Sequence, residues 1–287
     1  MKKTICVIVT YNRLGCLKDC LSALKNQTAQ DFDILVVNNG STDGTKEYID
    51  ELEDVLKIHQ ENLGGAGGFY AGMKYGFENN YEWVWLMDDD GAPAPNQLEE
   101  LMRHKNDSWC LNALVINKDN HAQFSFPPHD KTLTVDEIRK KSVVRNFCHP
   151  FNGTLYHRKL IEQIGLIKKE MFIWGDEKEY TARAVKAGII PVTITSAIHF
   201  HPGEKATKVY PIPFWHHPLT EILLKPEKMS HYYYRNLGFI DATYRTPLKS
   251  AKLVLVHTFY FLRTLKLAEL KKFYHYYFAG RKNNYND

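Results

Sequence analysis

The chain has 287 residues, enough for one large domain with an appendage or for two modest ones, and its 44% hydrophobic content is that of an ordinary globular protein. A net charge of +4 and a pI near 8.6, with Lys and Arg spread along the whole length, exclude the concentrated basic surface that nucleic-acid binding requires. No run approaches the roughly eighteen apolar residues of a membrane span, and the apolar stretch Ile5 to Val9 in "MKKTICVIVTYNR" is too short for a signal peptide core. The five cysteines, Cys6, Cys16, Cys20, Cys110 and Cys148, form no zinc-like set of pairs. A reducing, cytoplasmic setting is expected, in which the sequons at Asn26 and Asn152 carry no weight.

"TICVIVTY" reads as a β-branched strand, and "GCLKDCLSALKNQ" after it as a helix with Leu17, Leu21 and Leu24 at helical spacing. "FDILVVNNGSTDGT" is a second strand ending in a polar turn, followed by the helix "KEYIDELED". A short strand around "LKIHQ", the glycine-rich "ENLGGAGGF" and a helix from Tyr70 to Asn79 come next. Then "WVWLM" runs as a buried strand directly into three carboxylates, Asp88, Asp89 and Asp90. Strands alternating with helices through short connections predict an α/β fold, a mostly parallel sheet with helices on both faces.

Past Ala94 the sequence predicts a helix in "PNQLEELMRHK" and a strand in "SWCLNALVIN", and leaves Lys118 to Pro150 without a clear pattern. "NGTLYHRKLIEQIG", a loop and helix in "WGDEKEYTARAVKAG", and the strand "IIPVTITSAIHFHPG" follow. Prolines 211, 213 and 218 suggest an extended connector, and the chain reads as helical from about Pro226. Ligands of an open parallel sheet bind at the carboxyl ends of its strands. The clusters "TYNR", "NNGSTDG", "DDD" and "HFH" each follow a predicted strand, which points to one shared cleft.

Three adjacent carboxylates repel one another unless a cation sits between them or water screens them fully. Asp88 and Asp90 have the Asp-x-Asp spacing, and alternate residues of an extended segment face the same way, so the two can share a divalent cation. Oxygen ligands suit magnesium or manganese bound together with substrate phosphates. The plain alternative is a solvated turn, outweighed by the strand directly in front. Gly64, Gly65, Gly67 and Gly68 lie just ahead of a helix, where backbone N–H groups can approach a phosphate or a sugar; a flexible turn is the alternative. In "WGDEKEYTAR", Asp176 and Glu179 fit a capping box, and Glu179 and Arg183 an i, i+4 ion pair. Glu179 is thereby assigned to structure, and Asp176 or Glu177 could serve as a general base for a sugar hydroxyl. His199 and His201 close a strand with the same parity; His201 is preferred as the ligand completing a metal site, with His199 in reserve.

With these residues in place the sequence resembles the inverting glycosyltransferases of family two, which have the GT-A fold. The resemblance covers roughly residues 4–203, through "VIVTYNR", "VVNNGSTDGT", "NLGGAGGF", "WLMDDD", "FNGTLYHRKLIEQIG" and "FIWGDEKEYTARAVKAG" in family order. It implies that Thr10, Tyr11 and Arg13 and the second-strand turn hold the nucleotide, that the Asp-x-Asp residues hold Mn2+ or Mg2+ on the diphosphate, and that a later carboxylate is the base. Asp89 and Arg235 join the donor-binding set on the same ground. Asn38 stands where many relatives have an Asp contacting the base; an amide can still accept a hydrogen bond there. "GGAGGF" with a full "DDD", and "YYYRN" at Tyr232 to Asn236, are closest to the galactofuranosyltransferase branch, with much shared by rhamnosyltransferases.

The resemblance implies a catalytic domain over residues 1–205 and a connector and helical region over 206–287. The donor is a nucleotide sugar, UDP-galactofuranose ahead of dTDP-rhamnose, and the acceptor is a cell-surface glycan or its polyprenyl-diphosphate-linked precursor. The basic, aromatic tail predicts either an interfacial helix touching the inner face of the membrane or a lid packed on protein. A sugar-nucleotide nucleotidyltransferase would carry a glycine- and arginine-rich loop in place of "TYNRLG". A non-catalytic sugar-binding relative would lack Asp176 and Glu177.

Overall fold

The structure, a computed structural model, describes residues 3–126, 128, 132–203, 207–211 and 221–286. Two compact units divide it: residues 1–169 with 180–204, and residues 170–179 with 205–287.

The first unit is built on β1 (Thr4–Thr10), β2 (Phe32–Asn38), β3 (Leu56–His59), β4 (Trp83–Asp88), β5 (Ala92–Pro93), β6 (Cys110–Asn117), β7 (Val143–Arg145), β8 (Asn152–His157) and β9 (Val192–His201). Among the described residues they form one nine-stranded sheet in the order β3-β2-β1-β4-β8-β6-β9-β5, with β7 also on β9. Strands β1 to β4 are mutually parallel, as is the β6–β9 pair, while β8 runs antiparallel to both of its neighbours. The sheet is therefore mixed: β8 inserts between β4 and β6 and reverses direction there.

Side chains of the central strands alternate between two cores, as a strand buried on both faces requires. Cys6, Ile8, Trp83, Trp85 and Met87 pack with Leu17, Leu21 and Leu24 of α1 (Leu14–Lys25) and with Leu98 and Leu101 of α4 (Gln97–Arg103). Ile5, Val7, Val9, Val84 and Leu86 pack on the other face, with Phe69 and Met73 of α3 (Gly64–Glu78) and Leu160 and Ile161 of α6 (Arg158–Ile164). The short helix α2 (Thr45–Asp50) follows β2. In the stretch that sequence left unpatterned, Thr134 caps α5 (Val135–Arg139) in a capping box with Glu137, and β7 then pairs with the first half of β9.

The second unit contains residues 170–179, which open α7 (Asp176–Lys186); the division between units falls inside that helix. It also holds the hairpin of β10 (Thr207–Val209) and β11 (Ile222–Leu224), and the helices α8 (Ser230–Tyr244), α9 (Pro247–Arg263) and α10 (Leu267–Arg281). Pro213 and Pro218 of the expected connector lie outside the described residues. Tyr234, Phe261, Phe273 and Tyr277 form the core of this unit, and the Tyr277 hydroxyl donates to the buried Asp241 carboxylate.

The glycines of "GGAGGF" are not a loop ahead of a helix. They form the first turns of α3, and the reason lies in packing. A Cβ at Gly68 would collide with Val9 Cγ1, and one at Gly72 with Val7 Cγ1, so the absent side chains let α3 lie directly on β1. A Cβ at Gly65 would meet nothing within 4 Å. Gly72→Ala is therefore expected to lose about 1–3 kcal/mol in denaturant unfolding, overpacking outweighing the ~1 kcal/mol of helix propensity gained. Gly65→Ala, with the same gain and no collision, should unfold at equal or higher denaturant.

Candidate active site

Strand β4 ends at Asp88, whose Cα pairs with Val9 of β1, and the chain turns through Asp89, Asp90 and Gly91 into β5. Ala92 and Pro93 of β5 pair antiparallel with Phe200 and His199 of β9. That pairing carries the next residue of β9, His201, to the acidic turn. Ligand atoms of Asp88, Asp90 and His201 all lie within 4.8 Å of one another, the one such group among the described residues. Asp88 and Asp90 thus meet through a turn, and not through the alternation of an extended strand.

His201 Nδ1 donates to the Pro202 carbonyl at 2.8 Å, which leaves Nε2 to face Asp90 Oδ1 at 3.2 Å. This is the arrangement in which a backbone carbonyl fixes the tautomer of a ligating imidazole. His199, of equal parity, sits beneath the turn: it is wholly buried, its Nδ1 lies 3.1 Å from Gln97 Oε1, and a Cβ on Gly91 would run into its Nε2. Burial drives its pKa down to about 3, so it stays neutral and supports the turn from below.

Arg13 and Thr10 hold the turn from the β1 side. Arg13 Nη1 donates to Asp89 Oδ1 at 3.1 Å and to Asp90 Oδ2 at 2.9 Å, and the Thr10 hydroxyl donates to Asp89 Oδ2 at 2.7 Å. Asp89 is buried and spent on these contacts, while the Tyr11 ring projects into solvent with 45% of its surface exposed. Burial pushes the Asp88 carboxyl up to about 7, Asp90 and Asp89 adding to the shift and His201 and Arg13 opposing it. For His201 burial would lower the pKa, but the hydrogen bond and charge of Asp90 override it and raise it. Two carboxylates and one imidazole, crowded to the point of holding a proton, match the donor set that Mn2+ or Mg2+ takes.

The neighbouring rim is tied by asparagines that pattern reading passes over. Asn12, at φ 52°, accepts from Thr42 N at 2.7 Å, and Leu14 N donates to Asp43 Oδ2 at 3.0 Å, which locks "TYNR" to "NGSTDG". Asn39 donates to Gly64 O at 2.9 Å and accepts from Gln60 Nε2 at 2.7 Å and from Leu63 N at 3.2 Å, fastening the start of α3, with Gly64 and Gly65, to the β2 turn. Asn38 is buried, its Oδ1 accepting from Ser41 N at 2.9 Å and its Nδ2 lying 3.3 Å from His59 Nδ1. The signal available in sequence was the doubled asparagine after a strand. At the other end of β4 a cavity of about 830 Å³ is lined by Trp83, Trp109, Lys105 and Arg145, but it has no such group of metal ligands.

In the second unit Glu179 N donates to the Gly175 carbonyl at 2.7 Å, so Gly175 takes the cap position of α7 and Asp176 is its first helical residue. The expected capping box of Asp176 with Glu179 is not the one observed: Gly175, which has no side chain, stands at the cap, and the Glu177 carboxylate accepts from Gly175 N at 3.0 Å. Glu179 is buried and accepts from the Tyr244 hydroxyl at 2.8 Å, while Asp176 is 4% exposed. Arg183, in the first unit, donates to the carbonyls of Ile164 and Leu166 at 2.7 and 3.0 Å. Arg235 is buried in α8 between the rings of Tyr232 and Tyr285, with centroids 5.6 and 4.9 Å from its guanidinium carbon.

A helix-flanked, mostly parallel sheet with an acidic cluster able to hold a metal at its carboxyl rim is the architecture of a GT-A glycosyltransferase. The chain belongs to glycosyl transferase family 2, whose family model matches residues 5–165. It is similar to the galactofuranosyltransferase GlfT1 of Mycolicibacterium smegmatis, 28% identical over 68% of this chain and 70% of that one. It is also similar to the undecaprenyl-phosphate mannosyltransferase of Micrococcus luteus, 34% identical over 35% of this chain and 43% of that one. Its fold matches that of the mannosyltransferase PcManGT from Pyrobaculum calidifontis, solved in complex with GDP-Man and Mn2+, with a TM-score of 0.53 and 14% identity over 96% of this chain and 74% of that one.

Ligation requires Asp88 ionised and His201 neutral, and both pKa values stand above their ordinary positions. A cation therefore competes with protons until both groups have lost theirs, each proton displaced changing affinity by about tenfold per pH unit. Calorimetric titration with Mn2+ should show affinity rising with pH through about 7, where Asp88 gives up its proton, and levelling only once His201 is neutral as well. Proton release, read from buffers of different ionisation enthalpy, should appear only on the acidic side.

Proposed function

We propose that this family-2 glycosyltransferase moves galactofuranose from UDP-galactofuranose to a hydroxyl of a bacterial glycan or its polyprenyl-linked precursor, inverting the anomeric carbon. The convergence of Asp88, Asp90 and His201 carries the metal-dependent part of the reading. Similarity to GlfT1 over 68% of the chain supports the galactofuranosyl donor, and similarity to an undecaprenyl-phosphate mannosyltransferase supports a lipid-linked acceptor.

Asp88, Asp90 and His201 would hold the divalent cation, which when bound supplies positive charge opposite the departing diphosphate. Thr10 and Asp89 keep Arg13 at the rim, where its guanidinium, half exposed, can turn to a donor phosphate oxygen. The exposed Tyr11 ring offers a face to the nucleotide base. Asp176, at the rigid start of α7, accepts the proton of the acceptor hydroxyl as that oxygen bonds to the anomeric carbon and the carbon–oxygen bond to the diphosphate breaks. Glu177, whose carboxylate accepts from Gly175 N, is the alternative base.

The α9 helix supports contact with an anionic membrane. It contains no Asp or Glu, and Leu248, Leu255, Phe259 and Leu262 are exposed beside Lys249, Lys252 and Arg263, with Leu265 just beyond it; Leu248 and Leu265 are each 82% exposed.

A screen of nucleotide sugars with Mn2+ should show UDP-galactofuranose consumed fastest; preference for dTDP-rhamnose would move the donor assignment. Asp90→Ala is expected to abolish turnover, and Asp176→Asn to lower it by about 10²–10⁴-fold with donor binding retained. In flotation with vesicles of phosphatidylglycerol the full chain should rise with the lipid at low salt. A variant carrying Leu248→Ser, Leu255→Ser and Leu265→Ser should stay behind, and equal flotation of the two would remove the membrane contact.

A further inference from the structure

The "YYYRN" segment occupies α8 in the second unit, and one face of that helix grips the loop leading into α7. Residues Tyr232, Asn236 and Ile240 recur every four positions and so share that face. The Asn236 amide nitrogen donates to three carbonyls of the loop: Met171 at 2.8 Å, Ile173 at 2.9 Å and Trp174 at 3.1 Å. Tyr232 stacks on Phe172 with centroids 4.4 Å apart and planes 16° from parallel. Lys225 Nζ lies 4.8 Å from the centroid of the Trp174 ring.

The loop they grip is in an unfavourable conformation. Phe172 and Trp174 both stand at φ 62° and Gly175 at φ 124°, and bulky residues rarely take the left-handed region. Such a conformation persists only where its surroundings impose it. Here the imposing groups can be named. The alternating backbone turns the carbonyls of 171, 173 and 174 to one point, and the two protons of a single –NH2 group are shared among them. The amide must stand nitrogen inward, since the carbonyls accept and cannot donate. A Cβ at Gly175 would lie 3.2 Å from Asn236 Cβ and 3.3 Å from Ile240 Cδ1, so the close approach of α8 also selects glycine immediately before Asp176.

We infer that Asn236, with Tyr232 stacked beside it, is a positioning residue that holds the strained 171–175 loop and thereby sets the carboxylate of Asp176 for proton transfer. This rests on the reading of Asp176 as the base. The "YYYRN" segment then acts in catalysis through the base loop and need not touch the donor.

The test uses the full chain with Asn236→Leu, which keeps the shape and removes the donor, and Asn236→Asp, which turns an acceptor toward the three carbonyls. With UDP-galactofuranose and Mn2+, kcat should fall by about a hundredfold while the donor KM stays within about threefold. Amide hydrogen exchange across 171–177 should accelerate at least about tenfold, with exchange across β1 unchanged. Unchanged exchange in the loop, or kcat within twofold of the parent, overturns the inference; faster exchange in β1 as well would mean general unfolding and count against it equally. Asp176→Asn is assayed alongside. If that variant keeps full activity the base assignment fails, and the exchange data alone then judge the clamp.

Discussion

Mutual repulsion at the end of β4 is the constraint from which the rest of the site follows. Asp88, Asp89 and Asp90 are consecutive, and burial takes from them most of the screening that water would give. The protein answers each one differently. Asp89 is turned inward and satisfied by the Thr10 hydroxyl and by Arg13. Asp90 is shared between Arg13 and His201, whose hydrogen bond and charge hold its pKa below the ordinary carboxylate value against the effect of burial. Asp88 is left as the least compensated, with its pKa displaced furthest upward. A cluster with one carboxylate held in reserve is what a doubly charged ion would complete.

The surrounding architecture serves that arrangement. The two-residue strand β5 looks trivial, yet its pairing with β9 is what delivers His201 to Asp90. Gly91 must lack a side chain because His199 fills the space below the turn. On the β1 side, α3 lies against Val7 and Val9 through Gly72 and Gly68, which brings the start of that helix close to the β2 turn. Asn39 then ties the two with hydrogen bonds. The rim is thus a set of loops fixed by buried polar groups at the ends of the sheet strands.

Much of this was legible in the sequence because strand-then-cluster is a strong pattern. "WVWLM" followed by carboxylates, and "VTITSAIHFH" ending in histidines, place Asp88, Asp90 and His201 at strand ends on pattern alone. What periodicity could not supply was the turn. The sequence expectation brought Asp88 and Asp90 together by alternation along an extended segment, whereas strand pairing ends at Asp88. The glycine cluster misleads for a related reason: glycine disfavours helix in isolation, and the close approach of Gly68 to Val9, and of Gly72 to Val7 a turn later, is a tertiary contact that local pattern does not show. Residues 170–179 grouping with the C-terminal helices is likewise invisible locally, since it depends on Asn236 meeting carbonyls more than sixty positions away. The antiparallel placement of β8 belongs to the same class of long-range facts.

The central claim is that Asp88, Asp90 and His201 together ligate one divalent ion. Pulsed electron paramagnetic resonance on the protein loaded with a single equivalent of Mn2+ addresses it without reference to turnover. The account predicts nitrogen modulation from one imidazole, lost in His201→Gln and retained in His199→Gln, with binding itself lost in Asp90→Ala. Bound Mn2+ with no coupled nitrogen, or with a spectrum indifferent to both His201 and Asp90, would contradict it.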